Sequence, residues 1–233
     1  MKKKIAFVHF GKCGGVFLSV CIQRLVARKK YAIHNSWSPP NMGRDWTPTE
    51  LREFLTNQAP RQFVHNHHIS WPDDVVGEYL AQGWFVFMFI RHPADLISSL
   101  YFWGRMKSRA GANPFEGAGV DPDKMAVEDF FQHALTATGF RRLWTLPAFT
   151  DKLSFVDEMS GENFERFATV YLGHPGGGVG LGQIPQNASD NPGFRALVAS
   201  GAVSLKTVNA LYTDEDFQEY RTWLDLWEPT LPN

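Results

Sequence analysis

The segment Trp84–Ile90 constrains the fold more than any other part of the chain. All seven of its residues are apolar, and most are aromatic or β-branched. A strand with one exposed face would alternate apolar and polar residues, so this unbroken run predicts a strand buried on both faces. Such strands belong to parallel sheets that helices cover. We therefore expect an α/β fold.

Two strand-to-helix turns are predicted along the chain. The apolar stretch Ile5–Phe10 runs into the glycine-rich turn Gly11–Gly15, and apolar residues then recur at helical spacing to Ala27. The run described above ends at Arg91-His92-Pro93, and Ala94–Met106 has a helical pattern with proline at its start. Because ligands of open α/β sheets bind at the carboxyl ends of the strands, both turns are candidate binding sites.

The rest of the chain predicts one domain spanning residues 1–233, since no repeat or linker divides it. Further helices and strands, each bounded by loops, are expected at Thr47 to about Asn57, Arg61–His65, Asp123–Thr138, Leu153–Val156, Ser160–Leu172 and Ser204–Trp227. Loops are expected at Ser36–Asp45, Gly111–Pro122 and Gly173–Gly193.

The charge balance excludes a general nucleic-acid-binding protein. Lysine and arginine number 23 against 24 acidic residues, so the net charge is −1. An anionic ligand must therefore be bound by a local cluster of basic residues. With Cys13 and Cys21 as its only cysteines, the chain predicts neither a disulfide framework nor a zinc site.

A cytoplasmic location is the expectation from the same composition. The apolar stretch after Lys2-Lys3-Lys4 stops at Phe10, too early for the core of a signal peptide. No window approaches the roughly 18 uninterrupted apolar residues of a membrane-spanning helix. We therefore predict reduced thiols and no transmembrane segment.

The glycine-rich turn is a candidate anion site. Backbone N–H groups at a helix start bind anions, and Lys12 adds a positive charge. In a nucleoside-triphosphate-binding loop the lysine follows the second glycine and a Ser or Thr comes next, whereas Lys12 precedes Gly14-Gly15 and Val16 follows them. This order disfavours a magnesium-dependent NTPase. A turn that only packs a helix on its strand remains the alternative.

The second turn pairs a strand-end arginine with a serine in the following helix. Arg91 can bind a phosphate through charged hydrogen bonds, and Ser99 can donate its hydroxyl. Taken alone, this pair is as compatible with an ordinary helix start as with a binding site.

Both turns together resemble the sulfotransferases that use 3′-phosphoadenosine 5′-phosphosulfate (PAPS). Their 5′-phosphosulfate loop commonly reads Pro-Lys-Thr/Ser-Gly-Gly/Thr-Thr/Ser, to which the turn at Lys12 is similar. Their 3′-phosphate motif begins Arg-Asn/Asp-Pro, and this chain matches it at Arg91, Pro93, Asp95, Ser99 and Tyr101. The likeness extends from residue 5 to about residue 220.

The resemblance implies a three-layer, P-loop-like parallel sheet flanked by helices and a set of site residues. Lys12 would stabilise the leaving phosphate. His67 would be the base that takes the acceptor's proton, with His65 as the second choice, because His65-Asn66-His67-His68 looks like a strand-end motif of the carbohydrate sulfotransferases. The residues that the resemblance assigns to the donor are Gly11, Lys12, Cys13, Gly14, Gly15, Val16, Arg91 and Ser99.

The implied function is transfer of a sulfuryl group from PAPS to an acceptor hydroxyl, on a carbohydrate by this resemblance, with 3′-phosphoadenosine 5′-phosphate (PAP) as product and no metal. Gly11 replaces the family's proline, and Cys13 and Val16 replace two hydroxyl-bearing residues. Two alternatives therefore stay open: a P-loop nucleotide kinase or NTPase, and a protein that binds PAP or PAPS without catalysing transfer.

Overall fold

The computed structural model describes residues 4–9, 12–13, 32–35, 49–50, 53, 62–67, 73–136, 150–158, 161–170 and 191–213. The strands in these ranges are β1 (Ile5–His9), β2 (Ala32–Asn35), β3 (Gln62–His67), β4 (Phe85–Ile90) and β5 (Phe155–Glu158). The helices are α1 (Asp73–Ala81), α2 (Pro93–Arg109), α3 (Val127–Thr136), α4 (Gly161–Val170), α5 (Phe194–Ala199) and α6 (Leu205–Thr213).

The strands form one parallel sheet in the order β2-β3-β1-β4-β5. This confirms the predicted α/β class and parallel sheet. Strand β4 lies between β1 and β5, and five of its six residues are buried. The apolar run is therefore an interior strand, as predicted, although β1 takes the middle position.

The chain leaves β1 and β4 in opposite directions across the sheet. From β1 it continues to β2 on one side, and from β4 it continues to β5 on the other. In open α/β sheets, ligands bind outside the carboxyl ends of the two strands where this reversal occurs. Lys12 comes three residues after β1, and Arg91 comes immediately after β4.

Aromatic side chains pack α4 against the sheet. The Phe167 ring lies 4.4 Å from that of Phe87 in β4 and 5.1 Å from that of Phe155 in β5. Phe87 also stacks on Phe7 of β1 at 5.1 Å. Because each such ring buries about 150–250 Å², this cluster makes the sheet a rigid base for the loops that follow its strands.

Several element boundaries differ from the predictions. Strand β3 runs two residues beyond the predicted Arg61–His65, and β5 begins two residues after the predicted start. Helix α3 begins at Val127 and not at Asp123, because Asp121 holds a turn in which its carboxylate accepts the Asp123 N–H at 3.1 Å.

Three elements were not predicted, namely β2, α1 and α5. Residues 49, 50 and 53 are helical, in agreement with the helix expected from Thr47. The helix predicted after Gly15, the loop Ser36–Asp45 and the glycines of Gly173–Gly182 lie outside the described residues.

Backbone contacts divide the chain into two compact units. Unit 1 comprises Met1–Ile90 and Pro147–Gln186, and unit 2 comprises Arg91–Leu146 and Asn187–Asn233. The sheet, α1 and α4 belong to unit 1, whereas α2, α3, α5 and α6 belong to unit 2. Whether the two units make one domain, as the sequence predicts, stays a prediction.

In unit 2, the predicted loop Gly111–Pro122 packs tightly against α2. Phe115 and Val120 are buried, and Asn113 ties the loop together by donating to the Val120 carbonyl at 2.7 Å. At Gly104 of α2, an added Cβ would collide with the Phe115 ring and lie 2.9 Å from Cγ of Pro122. The glycine is therefore required by the close approach of the loop.

We expect Gly104→Ala to destabilise the protein by about 1–3 kcal/mol, since overpacking outweighs alanine's better helix propensity. Gly77→Ala is the matched control, because a Cβ at that position of α1 meets nothing within 4 Å. The control should be neutral or stabilise by about 0.5–1 kcal/mol. Urea unfolding measures both changes. Equal effects of the two substitutions would contradict the packing argument.

Glu128 of α3 caps the start of α6 across unit 2. Its carboxylate accepts the Ser204 N–H at 2.9 Å and the Thr207 hydroxyl at 2.6 Å. Ser204 in turn accepts the Thr207 N–H at 3.2 Å, as a helix N-cap does. Burial raises the pKa of Glu128, but the hydrogen bonds from Thr207 and Ser204 outweigh it and lower the pKa overall.

Replacing Glu128 with glutamine should cost about 1–2 kcal/mol at neutral pH, the range of a lost helix cap. Because the folded-state pKa lies below the unfolded value, the stabilisation is complete above the unfolded pKa and is lost as pH falls through the folded pKa. The difference from the original protein should therefore shrink in acid, as measured by unfolding at several pH values. Asp129→Asn, an exposed neighbour, is the control, and an equal effect there would contradict the capping role.

Candidate functional site

In unit 1, the turn after β1 holds Lys12 in an unusual backbone conformation. Its φ is 62°, and it is the one non-glycine residue with a positive φ among those described. A side chain in this left-handed region costs roughly 1–2 kcal/mol relative to the ordinary conformation, and glycine would avoid that cost. Such strain persists mainly at functional positions. Cys13, which follows, is fully buried.

The backbone of unit 1 brings Lys12 and His67 to one edge of the sheet. His67 is the last residue of β3 and is the register partner of His9, the last residue of β1. Neighbouring strands run about 4.8 Å apart, so His67 lies beside the point where the chain turns toward Lys12. His65 pairs with Phe7, two residues further into the sheet. His67 is therefore nearer than His65 to the end of β1 from which the chain continues to Lys12.

Gly11, Gly14, Gly15 and Val16, the other residues predicted to form the donor loop, lie outside the described residues.

In unit 2, His92 caps the N-terminus of α2. Its Nδ1 accepts the Ala94 N–H at 3.1 Å, and its carbonyl accepts the Leu96 N–H at 2.8 Å. Burial, with a smaller contribution from the charge of Arg195, lowers the pKa of His92 to about 3. The imidazole is therefore neutral at pH 7, which leaves the Nδ1 lone pair free to accept this bond. The sequence did not indicate this role.

A distant segment packs against the start of α2. The Phe194 ring stacks on His92 at 4.5 Å, and the Phe194 N–H donates to Asp95 Oδ1 at 3.2 Å. Ser98 donates its hydroxyl to Asn191 at 2.6 Å. These contacts join residues 99 and 93 positions apart, so no local sequence pattern reveals them.

The segment also brings a second arginine to the start of α2. Burial raises the pKa of Asp95, and the Phe194 N–H and the positive charges of Arg91 and Arg195 partly offset that effect. The positive charge of Arg195 lowers the pKa of both Asp95 and His92. Arg195 therefore lies near the N-terminal end of α2, which Arg91 precedes. Arg91 belongs to the predicted site, whereas Arg195 was not predicted.

Ser99 lies on the same face of α2 as Asp95, one helical turn later. Its side chain is largely buried, with 5% of the residue exposed, and its hydroxyl has no hydrogen bond to any residue the structure describes. Tyr101 is different, because its hydroxyl donates to the Met125 carbonyl at 3.0 Å. The motif thus contains one serine available to a ligand and one tyrosine held by the protein.

Two arginines in the C-terminal half of α2 form surface ion pairs. Arg109 lies 2.6 Å and Arg105 3.4 Å from the carboxylate of Asp123, and both side chains are substantially exposed. Exposed pairs of this kind contribute about 0–1 kcal/mol each. They are separate in role from Arg91, which makes no ion pair with a described residue.

The structure therefore places Lys12 and His67 at one sheet edge in unit 1, and Arg91 and Ser99 at the start of α2 in unit 2. In the described ranges, no helix has both the length and the apolar character to cross a membrane. The same ranges contain no group of three or more metal-ligating side chains. The metal-free reaction stays a prediction.

Comparison of the chain with protein-family models, with curated proteins and with solved structures finds no match.

Proposed function

We propose that this chain is a PAPS-dependent sulfotransferase that acts on a hydroxyl group of a carbohydrate. The observation that carries the proposal is the pair of cationic turns after β1 and β4, neighbouring parallel strands from which the chain departs in opposite directions. Lys12 stands in the first turn and Arg91 in the second. A three-layer, P-loop-like arrangement and a cytoplasmic location are part of the same proposal.

Each end of the donor has its own binding residues in this proposal. Lys12 and the backbone N–H groups of Gly14 and Gly15 bind the 5′-phosphosulfate. Arg91 and Ser99 bind the 3′-phosphate, the guanidinium by charged hydrogen bonds and the hydroxyl by donating a hydrogen bond. The strained conformation of Lys12 supports its role, because a glycine at this position would relieve the strain but carry no charge.

The reaction is an in-line displacement at sulfur. The acceptor oxygen forms a bond to sulfur while the bond from sulfur to the 5′-phosphate oxygen breaks, and PAP leaves. The acceptor proton passes to His67, since a neutral imidazole can act as a general base at pH 7. Lys12 stabilises the charge that develops on the departing phosphate, by analogy with phosphoryl transfer.

Calorimetric titration tests the donor site directly. PAP should bind with micromolar affinity, and ADP with Mg²⁺ should bind more weakly. Incubation with PAPS and a panel of mono- and oligosaccharides should then release PAP and yield a sulfated sugar. Absence of PAP binding would overturn the proposal, and stronger binding of ADP with Mg²⁺ would favour the kinase or NTPase alternative.

One observation favours a second candidate, a protein that binds the nucleotide without transfer. Cys13 stands where the sulfotransferase loop carries a hydroxyl, and its side chain is fully buried. It therefore presents no accessible group to the 5′-phosphosulfate. Tight PAP binding with no transfer to any sugar in the panel would support this candidate over the enzyme.

A further inference from the structure

Two segments of unit 2 flank the start of α2 and are called its two walls here. Only the first was predicted from the sequence as part of a site. The first is the turn Arg91–Pro93. The second is the segment around Phe194, which is fixed by the stack of its ring on His92 at 4.5 Å and by its N–H bond to Asp95 at 3.2 Å. Asn191 strengthens this wall, because its side-chain oxygen accepts both the Ser98 hydroxyl at 2.6 Å and the Gly193 N–H at 3.0 Å.

Arg195 directly follows Phe194 in the chain. Its side chain is exposed, and no described residue forms an ion pair with it. Asp95, the nearby carboxylate, is half-buried and uses Oδ1 to accept the Phe194 N–H. The backbone thus places Arg195 near the start of α2. Its guanidinium forms no hydrogen bond or ion pair with a described residue.

The charges at this end of α2 leave an excess that suits a phosphate. Arg91 and Arg195 carry two positive charges, and the one carboxyl group beside them is that of Asp95, whose pKa is raised by burial. His92 adds no charge, because burial keeps its imidazole neutral at pH 7 and its Nδ1 accepts the Ala94 N–H. Ser99, one turn after Asp95 on the same face of α2, adds a hydroxyl that makes no hydrogen bond with a described residue. A dianionic phosphate would supply the acceptors that these donors lack.

We propose that Arg195 is a donor-binding residue that joins Arg91 on the 3′-phosphate of the nucleotide. This inference rests on the sulfotransferase function proposed above and identifies a residue that the sequence motifs do not include. Asp95, Ser98 and Asn191 act as positioning residues, since their hydrogen bonds fix the segment that carries Arg195. Specificity for a nucleotide with a 3′-phosphate then depends on both walls.

The test compares two nucleotides that differ by the 3′-phosphate. Titrations with PAP and with AMP are carried out on the original protein, on Arg195→Gln and on Lys206→Gln, which removes an exposed positive charge from α6 in the same unit. Loss of one charged hydrogen-bonding group should weaken PAP binding about 10- to 100-fold. AMP binding should stay unchanged in Arg195→Gln, and Lys206→Gln should leave both affinities unchanged.

The outcomes separate this inference from the function on which it rests. If the original protein binds AMP as well as PAP, or neither, the proposed function fails. If it prefers PAP and Arg195→Gln keeps that preference, only the role of Arg195 is overturned. Should Arg195→Gln lose both nucleotides, Arg195→Lys decides, because the retained charge should restore PAP binding in part, and its failure to do so would count against the role.

Discussion

Replacing Lys12 with alanine should reduce sulfuryl transfer by at least about 100-fold, the typical effect of removing one group that stabilises transition-state charge. The reason is that sulfuryl transfer loads negative charge onto the departing phosphate, and Lys12 is the cation that the turn after β1 provides for it. PAP release from PAPS in the presence of a sugar acceptor measures the effect. Transfer at the original rate would remove Lys12 from the mechanism.

A glycine at the same position separates the role of the side chain from the conformation of the backbone. Since Lys12 has a φ of 62°, Lys12→Gly should be more stable than Lys12→Ala by about 1 kcal/mol. Both variants should lose transfer equally, because both lack the charge. Lys4→Ala is the control, since it removes a positive charge at the other end of β1, where the ammonium lies 5.5 Å from the centre of the Trp84 ring.

Strands at the centre of the sheet were predictable because burial on both faces leaves a clear pattern in the sequence. The apolar run before Arg91 is β4, and the one before the glycine-rich turn is β1. Strand β2 has four residues, two of them polar, and carries no such pattern. Helix α5 has six residues, and its start depends on a bond from Phe194 to Asp95 that no local spacing encodes.

The candidate site divides in the same way. Arg91 and Ser99 could be identified because both lie in one turn and helix at a recognisable spacing. Arg195 could not, since its position depends on the stack of Phe194 on His92 and on contacts that span about a hundred residues. A sequence motif therefore describes the part of a site that one continuous segment builds, and tertiary contacts supply the rest.

His92 shows how a departure from a motif can preserve its physical role. The resembling family has Asn or Asp at this position, side chains that commonly cap helices. Here a neutral imidazole supplies the acceptor, because burial holds the pKa of His92 at about 3 and leaves Nδ1 unprotonated. The helix start is thus kept in place without adding a charge beside Arg91. An anion bound there would meet the guanidinium with no competing carboxylate at the cap.

Arg91→Ala should weaken PAP binding about 10- to 100-fold, because a charged hydrogen-bonding group is removed from the 3′-phosphate. AMP binding, which does not involve that phosphate, should change little. Arg105→Ala is the matched control: it removes an arginine from α2 whose partner is Asp123, at 3.4 Å. Calorimetry on the three proteins distinguishes a specific contact from a general loss of positive charge. Equal weakening in both variants would mean that the nucleotide responds only to net charge, and Arg91 would then have no particular place in the donor site.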